Sequence, residues 1–222
     1  MDIVVYGVLF WVFAIVFTML RSTGRSGSLP ATLTKATPAL LAAIFAYLTG
    51  PSHLFHVLLM VALILCALGD IGMEYNIQVG LVVFLLAHMC YVGAFGVQST
   101  ILGVTSLPII GFLVCLVALF SYVVLYHRYL QTSETQTPLI RAVDLYAITL
   151  SLTASTSLLL WLSWGTFLGF LPFLGALMFI TSDSLIGIKE FHHRFDYEEP
   201  LILGTYYLAI FLLSLSAAVY TF

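Results

Sequence analysis

Eight apolar stretches of roughly 17–25 residues fill almost the whole chain, each about the length a helix needs to cross a bilayer. None alternates with the period of two that marks a barrel strand. Within lipid every backbone N–H and C=O needs a partner inside the protein. Such a chain therefore folds as an all-α, polytopic transmembrane helical bundle of eight helices. The charge inventory agrees. Of 222 residues only 8% are charged, against about 25% in a soluble domain. That is too little to cover a water-facing globule, and it leaves membrane lipids rather than nucleic acid as the expected surroundings.

The spans are read at about 2–20, 34–50, 54–72, 77–97, 102–126, 140–162, 166–188 and 201–221. Gly50-Pro51, the polar stretch Gln131–Pro138, Trp164-Gly165 and the charged loop Lys189–Pro200 are among the separators. The chain reads as one transmembrane domain. Its first span is not read as a signal peptide, because Asp2 stands where a basic segment belongs and Arg21 and Arg25 replace a small-residue cleavage site. Cys66, Cys90 and Cys115 all fall inside apolar runs and read as packing residues.

Eight spans put the loops after spans 1, 3, 5 and 7 on one face. All seven basic residues (Arg21, Arg25, Lys35, Arg128, Arg141, Lys189 and Arg194) lie in or beside those loops. The positive-inside rule makes that face cytoplasmic and places both termini outside. His53, His56, Trp161 and Trp164 are the expected residues of the opposite interface.

An ionisable side chain inside the hydrocarbon costs about 3 kcal/mol on insertion scales and ordinarily faces a cavity or a partner. Asp70 closes span 3 and Glu74 lies one turn beyond. Asp183 sits about five residues from the end of span 7, roughly 8 Å in. His88 is near the middle of span 4, with Tyr91 on the same face. Lys35 opens span 2, Asp144 and Tyr146 lie in the first turns of span 6, and Tyr206 and Tyr207 lie in the cytoplasmic half of span 8. Six helices thus send polar groups into one half of the bilayer. Plain structural roles exist for several. Asp144 and Glu74 can reach water, Lys35 can snorkel to lipid phosphates, Tyr146 can be interfacial and His88 can bond a backbone carbonyl. Asp183, between Ser182 and Ser184, is too deep for a short side chain to snorkel.

With His88 the one embedded histidine and His192-His193 adjacent in a charged loop, a hydrolytic zinc centre is disfavoured. A serine nucleophile lacks both a G-x-S-x-G motif and a second embedded histidine. Two carboxylates on separate helices remain, and they suit general acid/base chemistry with no cofactor.

At these residues the chain resembles the YhhN-type lysoplasmalogenase family of integral membrane proteins. The matching segments are Ala67-Leu68-Gly69-Asp70, the run Gly80–Phe95 with Phe84, His88 and Tyr91, and Gly175–Asp183 with Phe179 and Ser182. Lys35 with Pro38 and Thr205-Tyr206-Tyr207 also match. The family commonly carries a Gln shortly after the Tyr-Tyr pair, where this chain has Ile210. The resemblance implies cleavage of the vinyl ether bond of a lysophospholipid substrate, giving a fatty aldehyde and a glycerophospho-choline or -ethanolamine. Asp70 and Asp183 are then the catalytic pair. Lys35, Glu74, His88, Tyr91, Tyr146, Ser182, Tyr206 and Tyr207 are the expected substrate-binding set, with Lys35 on the phosphate. Depth makes Asp183 the acid and Asp70 the base, and the reverse assignment stays open. So do a transporter or receptor with a proton-titrating carboxylate pair, and a hydrolase of another ether or ester lysolipid. Asp70 and Asp183 are 113 residues apart, about half the chain, which suggests a 4+4 parallel pseudo-repeat.

Overall fold

The computed structural model describes residues 1–26, 28–50, 53–131 and 137–220, with backbone alone at 137–140. Pro51 and most of the polar stretch 131–138 lie outside the described residues. The helices are α1 (Ile3–Ser22), α2 (Leu29–Thr49), α3 (Leu54–Tyr75), α4 (Ile77–Leu102), α5 (Ser106–Leu130), α6 (Thr137–Trp164), α7 (Leu171–Phe191) and α8 (Glu198–Val219). All eight are long and apolar enough to cross a membrane.

Several helix ends differ from the sequence expectation, each for a local reason. α2 begins at Leu29 with Pro30 in its first turn, where a missing N–H costs nothing, so Lys35 lies in the second turn rather than at the start. α3 runs past Asp70 because no breaking residue intervenes before Asn76. That asparagine ends α3 and starts α4, its side chain accepting from the N–H of Gln78 (2.8 Å) and Val79 (3.4 Å) as an N-cap does. α5 starts four residues later than expected, because Gly103 at φ 88° stops α4 and the chain needs the link 103–105. A 3₁₀ turn, Leu168–Phe170, precedes α7.

Six helices form a closed order in which α2, α3, α4, α6, α7 and α8 each touch the next and α8 returns to α2. α1 packs against α2 and α8, and α5 chiefly against α6. The pairs α1–α2, α2–α3 and α3–α4 recur as α5–α6, α6–α7 and α7–α8, and α4–α6 recurs as α8–α2. This is the neighbour pattern expected of two four-helix halves in the same orientation. The contacts α1–α8, α3–α8 and α5–α7 have no counterpart.

Small residues set the closest approaches, as is usual between membrane helices. A Cβ on Gly72 would stand 3.2 Å from the backbone of Gly80, so α3 and α4 meet backbone to backbone just beyond Asp70. A Cβ on Gly175 would stand 3.0 Å from the Leu213 nitrogen, which locks α7 to α8 in the same manner. Away from the basic-loop face the interior is filled by rings. Tyr6 stacks on Phe45 at 4.3 Å and its hydroxyl meets Ser214 at 2.5 Å.

His56 is not an interface residue. It is 2% exposed, its Nε2 donates to the Ala217 carbonyl at 3.0 Å, and its ring fills the space that a Cβ on Gly50 would need. His53 is exposed. The three cysteines are free, Cys66 buried and Cys90 and Cys115 partly so.

Candidate functional site

The basic-loop ends of all eight helices surround a cavity of about 230 Å³. Its wall is largely apolar, with Met73 of α3, Leu81 and Phe84 of α4, Leu150 of α6, Ile180 of α7 and Ile202 of α8. Asp70, Asp183, Tyr146, Ser182 and Tyr206 interrupt that wall, and Arg21, Lys35, Glu74, Lys189 and Glu199 form a charged rim.

Each aspartate is held by one tyrosine from a neighbouring helix. The Tyr206 hydroxyl of α8 donates to Asp70 Oδ2 at 2.8 Å, and the Tyr146 hydroxyl of α6 donates to Asp183 Oδ2. The two carboxyls line the same cavity. Asp70 is five residues from the end of α3 and Asp183 eight from the end of α7, so about 8 and 12 Å along their helices. Asp183 is the deeper of the two, as expected. Asp70 is nevertheless the more buried, at 2% exposure, while Asp183 keeps part of its surface open. Depth and burial, which the sequence reading treats as one quantity, point to different residues.

The other expected site residues fall into two groups. Lys35, Glu74, Tyr146, Ser182 and Tyr206 line the cavity. The ammonium of Lys35 is bound to Glu74 at 2.8 Å and lies 6.0 Å over the Phe17 ring, so it is tied inside the rim rather than extended toward lipid. The Ser182 hydroxyl donates to the Ile202 carbonyl at 3.1 Å, a tie between α7 and α8. His88, Tyr91 and Tyr207 stand behind the wall and do not line it. His88 is fully buried, its Nδ1 3.2 Å from Thr153 Oγ1, and its ring sits edge-on to Tyr146 at 5.8 Å. Its Nε2 has no partner among the described residues. The Tyr91 hydroxyl faces Cys66 Sγ at 3.8 Å. The Tyr207 hydroxyl donates to the Lys35 carbonyl at 3.3 Å, one turn before Pro38, and so fixes α2 where it presents its lysine. Asp144 pairs with His127 at 2.8 Å, outside the cavity. Ile210 is fully buried and off the wall, so the departure from the family's Gln does not alter the lining.

Sequence reasoning missed Arg21, Lys189 and Glu199 as rim residues, having used the first two only to orient the chain. It also missed Tyr122 and Tyr126 of α5. The Tyr122 hydroxyl meets Ser184 Oγ at 2.5 Å and the Tyr126 hydroxyl donates to the Ser184 carbonyl at 3.0 Å, closing the cavity on that side. Their spacing of four on an apolar helix was the available signal. Among the described residues no three His, Cys, Asp or Glu side chains gather as a metal site would require.

Neither a curated protein nor a solved structure matches the chain. The model of the YhhN family matches residues 30–217. That range includes every cavity residue except Phe17 and Arg21 of α1. On that match, across most of its length, the chain belongs to the YhhN family.

Proposed function

We propose that the protein is a membrane hydrolase that opens the vinyl ether of lysoplasmalogens by acid/base catalysis from Asp70 and Asp183. The observation that supports this reading is one apolar-walled cavity that holds two carboxyls from different helices and ends in a charged rim. The family resemblance supplies the substrate class.

One carboxyl begins protonated and the other ionised. The acid protonates the vinyl carbon remote from the ether oxygen, leaving an oxocarbenium ion. The carboxylate stabilises that cation and takes a proton from the water that adds to it. The hemiacetal then collapses. Its hydroxyl proton passes to the spent acid, the glycerol oxygen leaves with the proton held by the base, and the aldehyde remains. Both carboxyls are back in their starting forms. Tyr146 and Tyr206 orient the pair, and Ser182 holds the wall beside it. His88 supports Tyr146 from behind, and Tyr91 backs His88. A volume of about 230 Å³ is below the ~300–1,000 Å³ of pockets that enclose whole drug-sized ligands. The head end therefore occupies the cavity and the tail runs out between helices into lipid. The rim faces the cytoplasm, on the strength of the basic residues around it.

The test is aldehyde release from a 1-alkenyl lysophospholipid by purified protein in detergent. Asp70→Asn and Asp183→Asn are each expected to abolish turnover while thermal unfolding stays cooperative. Full activity in either variant would sink the two-carboxylate mechanism. Flux of intact lipid without aldehyde would favour a transporter, and cleavage of ester but not alkenyl lysolipids would move the reading to a different hydrolase.

A further inference from the structure

Five charged side chains from five helices form one continuous chain across the cavity mouth. Lys35 of α2 binds Glu74 of α3 at 2.8 Å, and Glu74 binds Arg21 of α1 at 3.2 Å. Arg21 binds Glu199 of α8 at 3.2 Å, and Glu199 binds Lys189 of α7 at 2.8 Å. The members are not equivalent. Each glutamate has its own lysine at the short distance of a good charge-assisted bond. Arg21 reaches both by longer single contacts, one from Nε and one from Nη1, and Nη1 also donates to Ser26 Oγ at 3.2 Å. Releasing Arg21 leaves neither carboxylate unpaired, whereas releasing either lysine leaves a glutamate dependent on the arginine alone.

Exposure follows the same order. The lysines are 12% and 9% exposed, and Arg21 is 31% exposed. Among the described residues its Nη2 makes no hydrogen bond. A guanidinium presents its donors as a planar fork that suits phosphate oxygens, which an ammonium does not. Arg21 also precedes residues 30–217, so the family match does not bear on it.

We propose that Arg21 binds the phosphate of the incoming lysophospholipid, exchanging its two glutamate contacts for phosphate oxygens. Lys35 and Lys189 meanwhile keep Glu74 and Glu199 neutralised. This assigns the phosphate contact to Arg21 in place of Lys35, and it takes its substrate class from the lysolipid reading above.

The test is binding, to the purified full-length chain, of a non-hydrolysable alkyl-ether lysophosphocholine and of the matching alkylglycerol, which lacks the phosphate. Arg21→Gln is expected to weaken the lysophospholipid about 10- to 100-fold, the range for one lost charged contact, and to leave the alkylglycerol unchanged. Arg21→Lys recovers part of the loss. In turnover of the alkenyl analogues the Gln variant raises KM for the phosphate-bearing substrate and spares kcat. Equal weakening of both ligands overturns the proposal, as does a selective loss in Lys35→Met with none in Arg21→Gln. So does a wild-type protein that holds both lipids equally well. The binding arm needs no catalysis, so a wild-type protein that releases no aldehyde would remove the hydrolase reading while the two affinities still judged Arg21.

Discussion

Replacing Tyr206 or Tyr146 by Phe removes one oxygen atom and one donor from one carboxyl. Tyr206 is 5% exposed, and its ring is held by Phe84 at 6.0 Å, Phe179 at 5.5 Å and Tyr207 at 5.3 Å. Those contacts survive in Phe, so the fold has no reason to shift. The hydroxyl is the sole protein hydrogen bond to Asp70 among the described residues, and the Tyr146 hydroxyl serves Asp183 in the same way. A hydrogen bond to a charged group contributes about 1.5–3 kcal/mol and one between neutral groups about 0.5–1.5 kcal/mol. The base stays ionised while the vinyl carbon is protonated, so its bond is charge-assisted in the free enzyme and in that step alike, and losing it lowers kcat/KM by less than about twofold. The acid becomes a carboxylate in that step, so its bond strengthens by about 1–1.5 kcal/mol. At about 1.36 kcal/mol per decade, losing it lowers kcat/KM by roughly 5- to 12-fold. The two variants are therefore unequal, and the larger loss marks the acid. The assay is initial-rate aldehyde release from an alkenyl lysophospholipid, with thermal unfolding measured alongside. Two variants within twofold of wild type would refute the idea that the tyrosines hold the carboxyls through the reaction. Equal large losses would refute a division of labour between the aspartates.

Three other perturbations follow from the packing. Gly69→Ala places a Cβ 2.9 Å from the Phe84 ring. Overpacking costs about 1–3 kcal/mol and the gain in helix propensity returns about 1 kcal/mol, so calorimetry should show a net loss of ~0–2 kcal/mol, with turnover reduced as Phe84 moves into the cavity. Gly187→Ala drives a Cβ into the Tyr126 hydroxyl and breaks its bond to Ser184. Amide exchange should then rise in α5, while the lost bond, about 1 kcal/mol, is offset by about 1 kcal/mol of helix propensity, so overall stability stays near that of the wild type. Asp144→Asn weakens a partly exposed pair with His127, with side chains 31% and 26% exposed, so the melting transition should move by less than ~1 kcal/mol and aldehyde release should stay at the wild-type rate.

The sequence carried the span count because the basic residues fell on alternate loops, and it carried the aspartates because their cost in lipid singles them out. What it could not carry were distances between segments far apart in the chain. Arg21 lies 53 residues from Glu74 and 178 from Glu199, so charge counting treated it as one loop cation among seven. His56 looked interfacial because it is a wet-edge residue type at the start of span 3, and packing against Ala217 and Gly50 buries it. Asp70 looked close to water because the apolar run fades after it. Instead α3 continues to Tyr75, the carboxyl is 2% exposed, and the Tyr206 hydroxyl binds it.

The halves of the molecule also explain why the two aspartates differ. The ends of α3 and α7, at Tyr75 and Phe191, are 116 residues apart, whereas Asp70 and Asp183 are 113 apart. The offset of three residues is nearly one helical turn, so both carboxyls point toward the shared interior, with Asp183 about 4.5 Å deeper. Their tyrosines do not correspond either, since Tyr206 comes from α8 and Tyr146 from α6. A strictly repeated pair would give two like carboxyls in like surroundings. Acid/base chemistry needs two that are unlike, one holding a proton while the other does not. The one-turn slip between the halves sets the two carboxyls in unlike surroundings. Moving either aspartate by one turn to its equivalent position, as in Asp183→Ile with Ile186→Asp, should therefore abolish turnover even though two carboxyls still face the cavity.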